Sequence, residues 1–388
     1  MKIVFLTTLL IGSLYAQSFE DFLADSLKKS PLLQTNALSL EQAQEKSSMT
    51  TRYKNPTLSL EVSNFSPDIG DSEVGYSATL TQPIRLWGVS SAREDLAYAQ
   101  TEQVKAGVKL SRAGFTRELS SLYAKYKRAV SAEHLAQEEL AIAQKIANIS
   151  QSRFENGSIA KVKYLQASLD TKGVQNFLAQ TAVKKTTAYY RMMGYRGLND
   201  EIEVDTAYTF MLSEYGKAIS NASIELSRAT EKSARASSKL NANKLEWISV
   251  YGQFEQEPDQ GIARVGINLP LLAFNTKSQE KQISKLSADK AKLFTQNLTN
   301  QISFKLRELQ NSIKTLAVVE ETSLELLQSQ KELLEMYEEG YKIANIDLIE
   351  LQTIKNQLIQ TKENLLNIIL SKELNIIEHN YLTGTYNE

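Results

Sequence analysis

The chain has 388 residues and a formal net charge of −1, with Lys+Arg 44 against Asp+Glu 45. That length allows two or three domains, and the charge balance argues against a strongly basic nucleic-acid surface. Cysteine is absent, and the two histidines, His134 and His379, read as exposed helix positions. Disulfides and thiolate metal sites are excluded, while a histidine triad or cluster has almost nothing to draw on, so no metal site, cofactor or enzyme is expected.

Residues 1–16 read as a secretory signal: Lys2 starts it, Ile3 to Leu14 form a short apolar run, and Ala16 is small at the cut. The run is too short to remain as a spanning helix, and no later stretch has ~20 consecutive apolar residues. Membrane contact would therefore fall to strands or to an amphipathic surface.

Residues 18–52 predict two amphipathic helices split at Pro31, with Phe19, Phe22, Leu23 and Leu27 at helical spacing. Strands are predicted over 57–66 and 73–82. Leu58, Leu60 and Val62 alternate with small or polar residues in the first, and Val74, Tyr76, Ala78 and Leu80 in the second. Each run is about the ~9–11 residues of a tilted membrane strand, with one apolar face and one polar face. A half-buried hairpin on a soluble domain would read the same way.

Beyond Pro83 the chain becomes helix-compatible throughout. Ala92, Leu96, Ala99, Ala106, Leu110 and Ala113 form a seam of four- and three-residue steps, predicting one helix over 90–154, a length of ~100 Å at 1.5 Å per residue. Gly157 marks a turn, and helix resumes over 160–193.

The pattern then repeats, with strands predicted over 245–254 and 261–269, an exit at Pro270, and long helices to the end. In 245–254, Trp247 and Tyr251 compete with Ile248 and Val250 for the apolar face. The two prolines are 270 − 83 = 187 residues apart. The interval relates Leu58 to Leu245, Ala78 to Val265, Leu80 to Ile267, Trp87 to Phe274, Phe154 to Tyr341 and Gly157 to Ala344. Met193-Gly194 matches Thr383-Gly384 after a small shift in register. A duplicated strand-strand-long-helix-helix unit follows, mainly α with short β-strands, with repeat 1 at about 17–200 and repeat 2 at about 201–388.

SFEDFLADSLKKSPLLQTNALSLEQAQ, KNPTLSLEVSNF, TQPIRLWGVSSAREDLA and RFENGSIAKVKYLQAS, taken in that order, resemble the TolC family of outer-membrane efflux ducts. The NPTLSLEVSNF and QPIRLWG stretches look most like its heavy-metal cation export branch. The resemblance implies a homotrimer with a 12-stranded β-barrel in outer-membrane lipid and an α-helical tunnel in the periplasm. Pro83 and Pro270 would be the strand-to-helix exits, and residues 194–212 with the C-terminal tail a belt around the tunnel. Partners would be a periplasmic adaptor and an inner-membrane pump of RND or ABC type. From the residues alone, a secreted coiled-coil adaptor or scaffold is the alternative.

On that reading the functional residues line the narrow periplasmic end. Asp347 and Glu350 have capping-box spacing, and three-fold symmetry would also make each a ring of acids. Tyr341 would either brace the closed tip by a hydrogen bond or pack. The turns fall at Gly157, Gly340 and Ala344, the last where glycine is expected. Lys161 and Lys163 are either adaptor contacts or solvated tip residues. Tyr76, Trp87, Trp247 and Tyr251 are candidates for the aromatic girdle of a barrel. Arg85 and Arg264 receive no role beyond facing water.

Overall fold

The computed structural model describes residues 16–66, 69–213, 221–243, 245–271 and 276–387. Most of the predicted signal, and Phe274, lie outside those residues.

Helix α1 (Phe19–Lys29) is written into its ends. The Ser18 hydroxyl accepts from the Asp21 amide, Glu20 and Asp21 occupy the first turn, and Lys28 and Lys29 the last. Pro31 then opens α2 (Pro31–Thr51), a position where its missing N–H costs nothing.

Strands β1 (Thr57–Phe65) and β2 (Glu73–Arg85) form an antiparallel hairpin, as do β3 (Trp247–Gln256) and β4 (Gly261–Asn268). Together they make one antiparallel sheet in the order β1-β2-β3-β4. Between the hairpins run α3 (Trp87–Glu155, 69 residues), α4 (Lys161–Arg196) and α5 (Ala222–Asn241); α6 (Ser278–Lys342, 65 residues) and α7 (Leu348–Thr383) follow. Among the described residues no helix is long and apolar enough to cross a membrane.

The described ranges correct several sequence expectations. Pro83 lies inside β2, paired with Ser249, and only Leu86 separates the strand from α3. The proline is tolerated because β1 stops pairing at Thr81, leaving that side of β2 without a strand neighbour among the described residues. Pro270 lies two residues beyond the end of β4, outside the ladder.

Leu245 is not the partner of Leu58, because it precedes β3. Leu58 pairs with Leu80, whereas Ile267, 187 residues beyond Leu80, pairs with Val250. Across a second hairpin loop (257–260) shorter than the first (66–72), the equivalent of Leu58 is therefore Val250. The register shift proposed between Gly194 and Gly384 also disappears. Gly194 lies inside α4, whereas Gly197 and Gly384 both close their helices in the left-handed conformation, and 384 − 197 = 187. From the tip turns onward the two copies keep one interval: α4 and α7 both have 36 residues, and 348 − 161 = 187.

The chain divides into two compact units. One takes residues 1–35, 111–221 and 302–388, the other 36–110 and 222–301. Each therefore draws on both sequence repeats. The first has an apolar core in which Phe19 and Phe22 of α1 meet Phe115, Leu119 and Tyr123 of α3, together with Val204 and Phe210. Phe19 lies 4.2 Å from the Tyr123 ring centroid. Gln17 adds a parallel bridge to Val204, its amide donating to the Glu203 carbonyl at 2.7 Å.

The same unit also buries charge. The guanidinium of Arg196, fully buried, holds Asp25 of α1 and Asp200, the latter at 2.8 Å. Lys355, likewise buried, reaches Asp170 at 2.7 Å. His379 is buried too, not exposed as expected; Glu373, Ile376, Ile377, Asn380, Tyr381 and Leu382 around it are covered, so most of the last three turns of α7 is withdrawn from solvent. Burial holds the His379 imidazole below its ordinary pKa. His134 does face solvent.

Candidate functional site

Two regions carry the features expected of a conduit: the sheet in one unit and the helix tips in the other.

Strand register decides the faces of the sheet. Leu58, Leu60 and Val62 share one face with Tyr76, Ala78 and Leu80 of β2, Ile248, Val250 and Phe254 of β3, and Ala263, Val265 and Ile267 of β4. This is a largely apolar surface, and most of it is exposed: Leu60 is 71% exposed and Val265 85%, while Ala78, Ile248 and Val250 are half-covered. The opposite face carries Ser59, Glu61, Ser77, Thr79, Thr81, Ser249, Gln253, Glu255 and Arg264. Glu255 and Arg264 form an ion pair there. One side suits lipid and the other water.

Two of the four girdle candidates fall on the wrong side. Tyr76 lies on the apolar face, and Trp87, at the start of α3, is 92% exposed. Trp247 and Tyr251 alternate with Ile248 and Val250 and so project to the polar face. Tyr251 lies over its cross-strand partner, where a methyl on Gly266 would come 2.5 Å from the tyrosine oxygen. The ring fills the space that glycine leaves, a pairing familiar on sheet surfaces.

Trp247 instead serves Arg85, whose role the sequence did not reveal. The Arg85 guanidinium lies 4.7 Å from the Trp247 ring and 5.2 Å from the Tyr53 ring. It donates to the carbonyls of Thr51, at 3.0 Å, and Arg52, at 2.6 Å. These are carbonyls at the C-terminal end of α2, where a cation also complements the helix dipole. A sequence signal existed: an arginine at the end of a strand, in line with a tryptophan on the next.

At the tips the predicted residues meet. Gly157 (φ +70°) and Ala344 (φ +68°) hold the two turns in the same left-handed conformation. The amides of Ser158 and Asn345 donate back to the carbonyls of Arg153 and Gly340, at 2.7 and 2.9 Å. The glycine missing at Ala344 thus changed the strain and not the turn. Alanine there costs about 1 kcal/mol, so Ala344→Gly raises stability by about that amount, read as a higher denaturant midpoint; no gain would show the strain is relieved elsewhere. Gly340 has a different reason. It lies in helical backbone, and a methyl on it would come 2.5 Å from Ile346 Cδ1.

Tyr341 both packs and hydrogen-bonds. It is buried, its hydroxyl lies 2.8 Å from Ser150 Oγ, and Arg153 of α3 stacks over its ring at 4.6 Å. Arg153 also donates to the Tyr341 carbonyl at 2.8 Å. The tip of α6 is thereby tied to α3 from both sides.

Asp347 is the N-cap of α7 and forms a capping box with Glu350, whose carboxylate accepts from the Asp347 amide at 3.4 Å. Asp347 also pairs with Lys163 of α4. That lysine, first among the causes, and the first-turn amides of α7 hold its carboxyl below the usual range. Glu350 and Lys161 remain exposed. The two copies share this chemistry unequally. Helix α4 begins at Ala160 with no side-chain cap, and Lys163 stands where the second copy has Glu350.

Residues 22–197 match the family model described as outer membrane efflux protein. The nickel-cobalt-cadmium resistance protein NccC of Alcaligenes xylosoxydans xylosoxydans is 21% identical over 301 residues, covering 73% of this chain and 68% of the relative. Among solved structures, CusC superposes with a TM-score of 0.79 at 14% identity, over 94% of this chain and 91% of that one. The outer membrane channel CmeC of Campylobacter jejuni gives 0.77 at 15% identity, over 94% and 85%.

Proposed function

We propose that the chain is an outer membrane efflux protein of the TolC family, as the match over residues 22–197 and the shared fold support, and that its cargo is divalent heavy-metal cations. Conduction through the outer membrane is passive, from a periplasmic adaptor and an inner-membrane pump of RND or ABC type to the outside. No reacting group is needed, and the chain is not an enzyme. The likeness to a nickel-cobalt-cadmium resistance protein supports the cargo.

The observation that carries the conduit reading is the two-faced sheet. Among the described residues its edge strands β1 and β4 each lack a neighbour on one side, and most of its apolar face is exposed. An isolated edge of this kind needs pairing. Three copies joined edge to edge supply it and enclose the polar face as a lumen. A periplasmic adaptor or scaffold would have no use for such a face.

On this reading the gate lies at the α3–α4 and α6–α7 turns. Three copies bring Asp347 and Glu350 into rings that concentrate cations. Tyr341 braces the closed tip through Ser150 and Arg153. Lys161 is the free basic contact for an adaptor, because Lys163 is already engaged by Asp347.

Purified protein in planar bilayers tests this, with cobalt added from the periplasmic side as a blocking cation. Glu350→Gln weakens block more than Asp347→Asn, since the Asp347 charge is already shared with Lys163. The double variant requires roughly tenfold more cobalt, the size of effect that focused charge confers. Unchanged block in the double variant would reduce both acids to helix caps.

A further inference from the structure

We propose that Glu139, Lys355 and Asp170 form a proton-operated clamp that holds α7 against the α3–α4 hairpin more firmly as the periplasm acidifies. This rests on the reading of the chain as a duct whose helices project into the periplasm. The geometry is uneven. One buried ammonium, that of Lys355, serves two carboxylates on different helices. Its Nζ lies 2.7 Å from Asp170 on α4 and 3.8 Å from Glu139 on α3. The Lys355 side chain is 1% exposed and that of Glu139 13%.

With all three ionised, the cluster keeps one negative charge in excess around a buried ammonium, with Glu139 mostly covered and the Asp170 side chain 28% exposed. The second carboxylate lacks a cation at hydrogen-bond distance in the cluster. A proton on Glu139 removes the excess and leaves Lys355 committed to Asp170.

The neighbouring cations are engaged by other groups or reach solvent. Glu363 of α7 is engaged by Arg128 at 3.5 Å, and Glu138 of α3 is engaged by Lys362. Lys331 of α6 and exposed His134 line the cleft next to Glu138. Arg128 of α3 and Lys184 of α4 line, with Glu139 and Glu363, a cavity of about 240 Å³ walled also by Leu135, Phe177 and Ile359; Arg128 is taken up by Glu363, and the Lys184 side chain reaches solvent.

Burial, foremost, holds the Glu139 carboxyl above its ordinary value of 4.5; Asp170 and Glu363 add to the rise, and Lys355 opposes it. An acid with a raised folded-state pKa binds its proton more readily folded than unfolded. Stability therefore grows as pH falls from that raised value toward 4.5. Buried His379 works in the opposite sense below its ordinary 6.5, so the contribution of Glu139 must be read as a difference between variants.

Thermal unfolding of the full-length protein in mild detergent, from pH 8 to pH 4.5, compares the wild type with Glu139→Gln. The glutamine is neutral at every pH. The variant should unfold about 3 °C higher at pH 8, with the gap closing toward pH 4.5, while His134→Gln leaves the wild-type profile unchanged. In bilayers, open probability of the wild type should fall with periplasmic acidification and that of Glu139→Gln should not. A constant thermal gap, or a variant less stable at every pH, overturns the proton site. A closing gap with wild-type open probability indifferent to pH overturns the clamp. Absence of any conductance beside a closing gap supports the proton site and removes the duct reading from which its consequence is drawn.

Discussion

Lys355→Met should destabilise the protein by about 3–5 kcal/mol, the usual cost of stripping one partner from a buried ion cluster. The lysine side chain is 1% exposed and stands between Asp170 and Glu139, which reach it from α4 and α3. Methionine replaces the aliphatic stem well, so little of the loss would come from packing. It would come from two carboxylates, the more covered of them Glu139, left without the cation they share.

The triple variant Lys355→Met/Asp170→Asn/Glu139→Gln should then regain most of the loss, because no buried charge remains. Urea unfolding of each single variant and of the triple variant measures the coupling directly. If the triple variant is as unstable as Lys355→Met alone, the cost lies in shape and the charge argument fails. Acidification should also soften the defect of Lys355→Met, since protonation of Glu139 removes part of the repulsion.

What the sequence made legible was local or periodic. Alternation in 57–66 and 73–82 located the first hairpin and its two faces, because a strand repeats every two residues whatever it packs against. Capping-box spacing identified Asp347 and Glu350 as the start of α7. The interval of 187 predicted equivalent turns, and Ala344 adopts the conformation of Gly157 despite its methyl group.

What escaped was decided by distant partners. Lys355 and Asp170 are 185 residues apart, and Arg196 and Asp25 171. On helices full of lysine and glutamate, nothing local separates a buried charge from a solvated one. Trp247 looked like a lipid-facing aromatic until the register placed it under Arg85. His379 looked exposed because the polar residues around it suggested solvent, yet Glu373 and Asn380 are themselves buried. Two pairs of tip residues, Lys163 with Asp347 and Ser150 with Tyr341, join separate hairpins and could be paired only in three dimensions.

Arg196 gives the second large effect. Arg196→Met should cost about 3–5 kcal/mol by the same reasoning, but its consequence is confined to the N-terminal helix. The guanidinium is fully buried, pairs with Asp25 of α1 and with Asp200, and lies 5.4 Å from the Phe22 ring. Asp25 and Phe22 are on one face of α1, so a single planar group fixes both the position and the rotation of that helix. Hydrogen exchange should show α1 losing protection first, ahead of α3 and α7. Arg196→Lys keeps the charge but offers a single ammonium, which cannot span two carboxylates while stacking on an aromatic ring. It should therefore recover only a minor part of the loss. Full recovery by lysine would mean that charge alone anchors α1 and that the fork geometry is incidental. The helix also carries Gln17 and Ser18 at its entry, so release of α1 should break the bridge from Gln17 to Val204 and loosen the 204–210 segment packed on Tyr123.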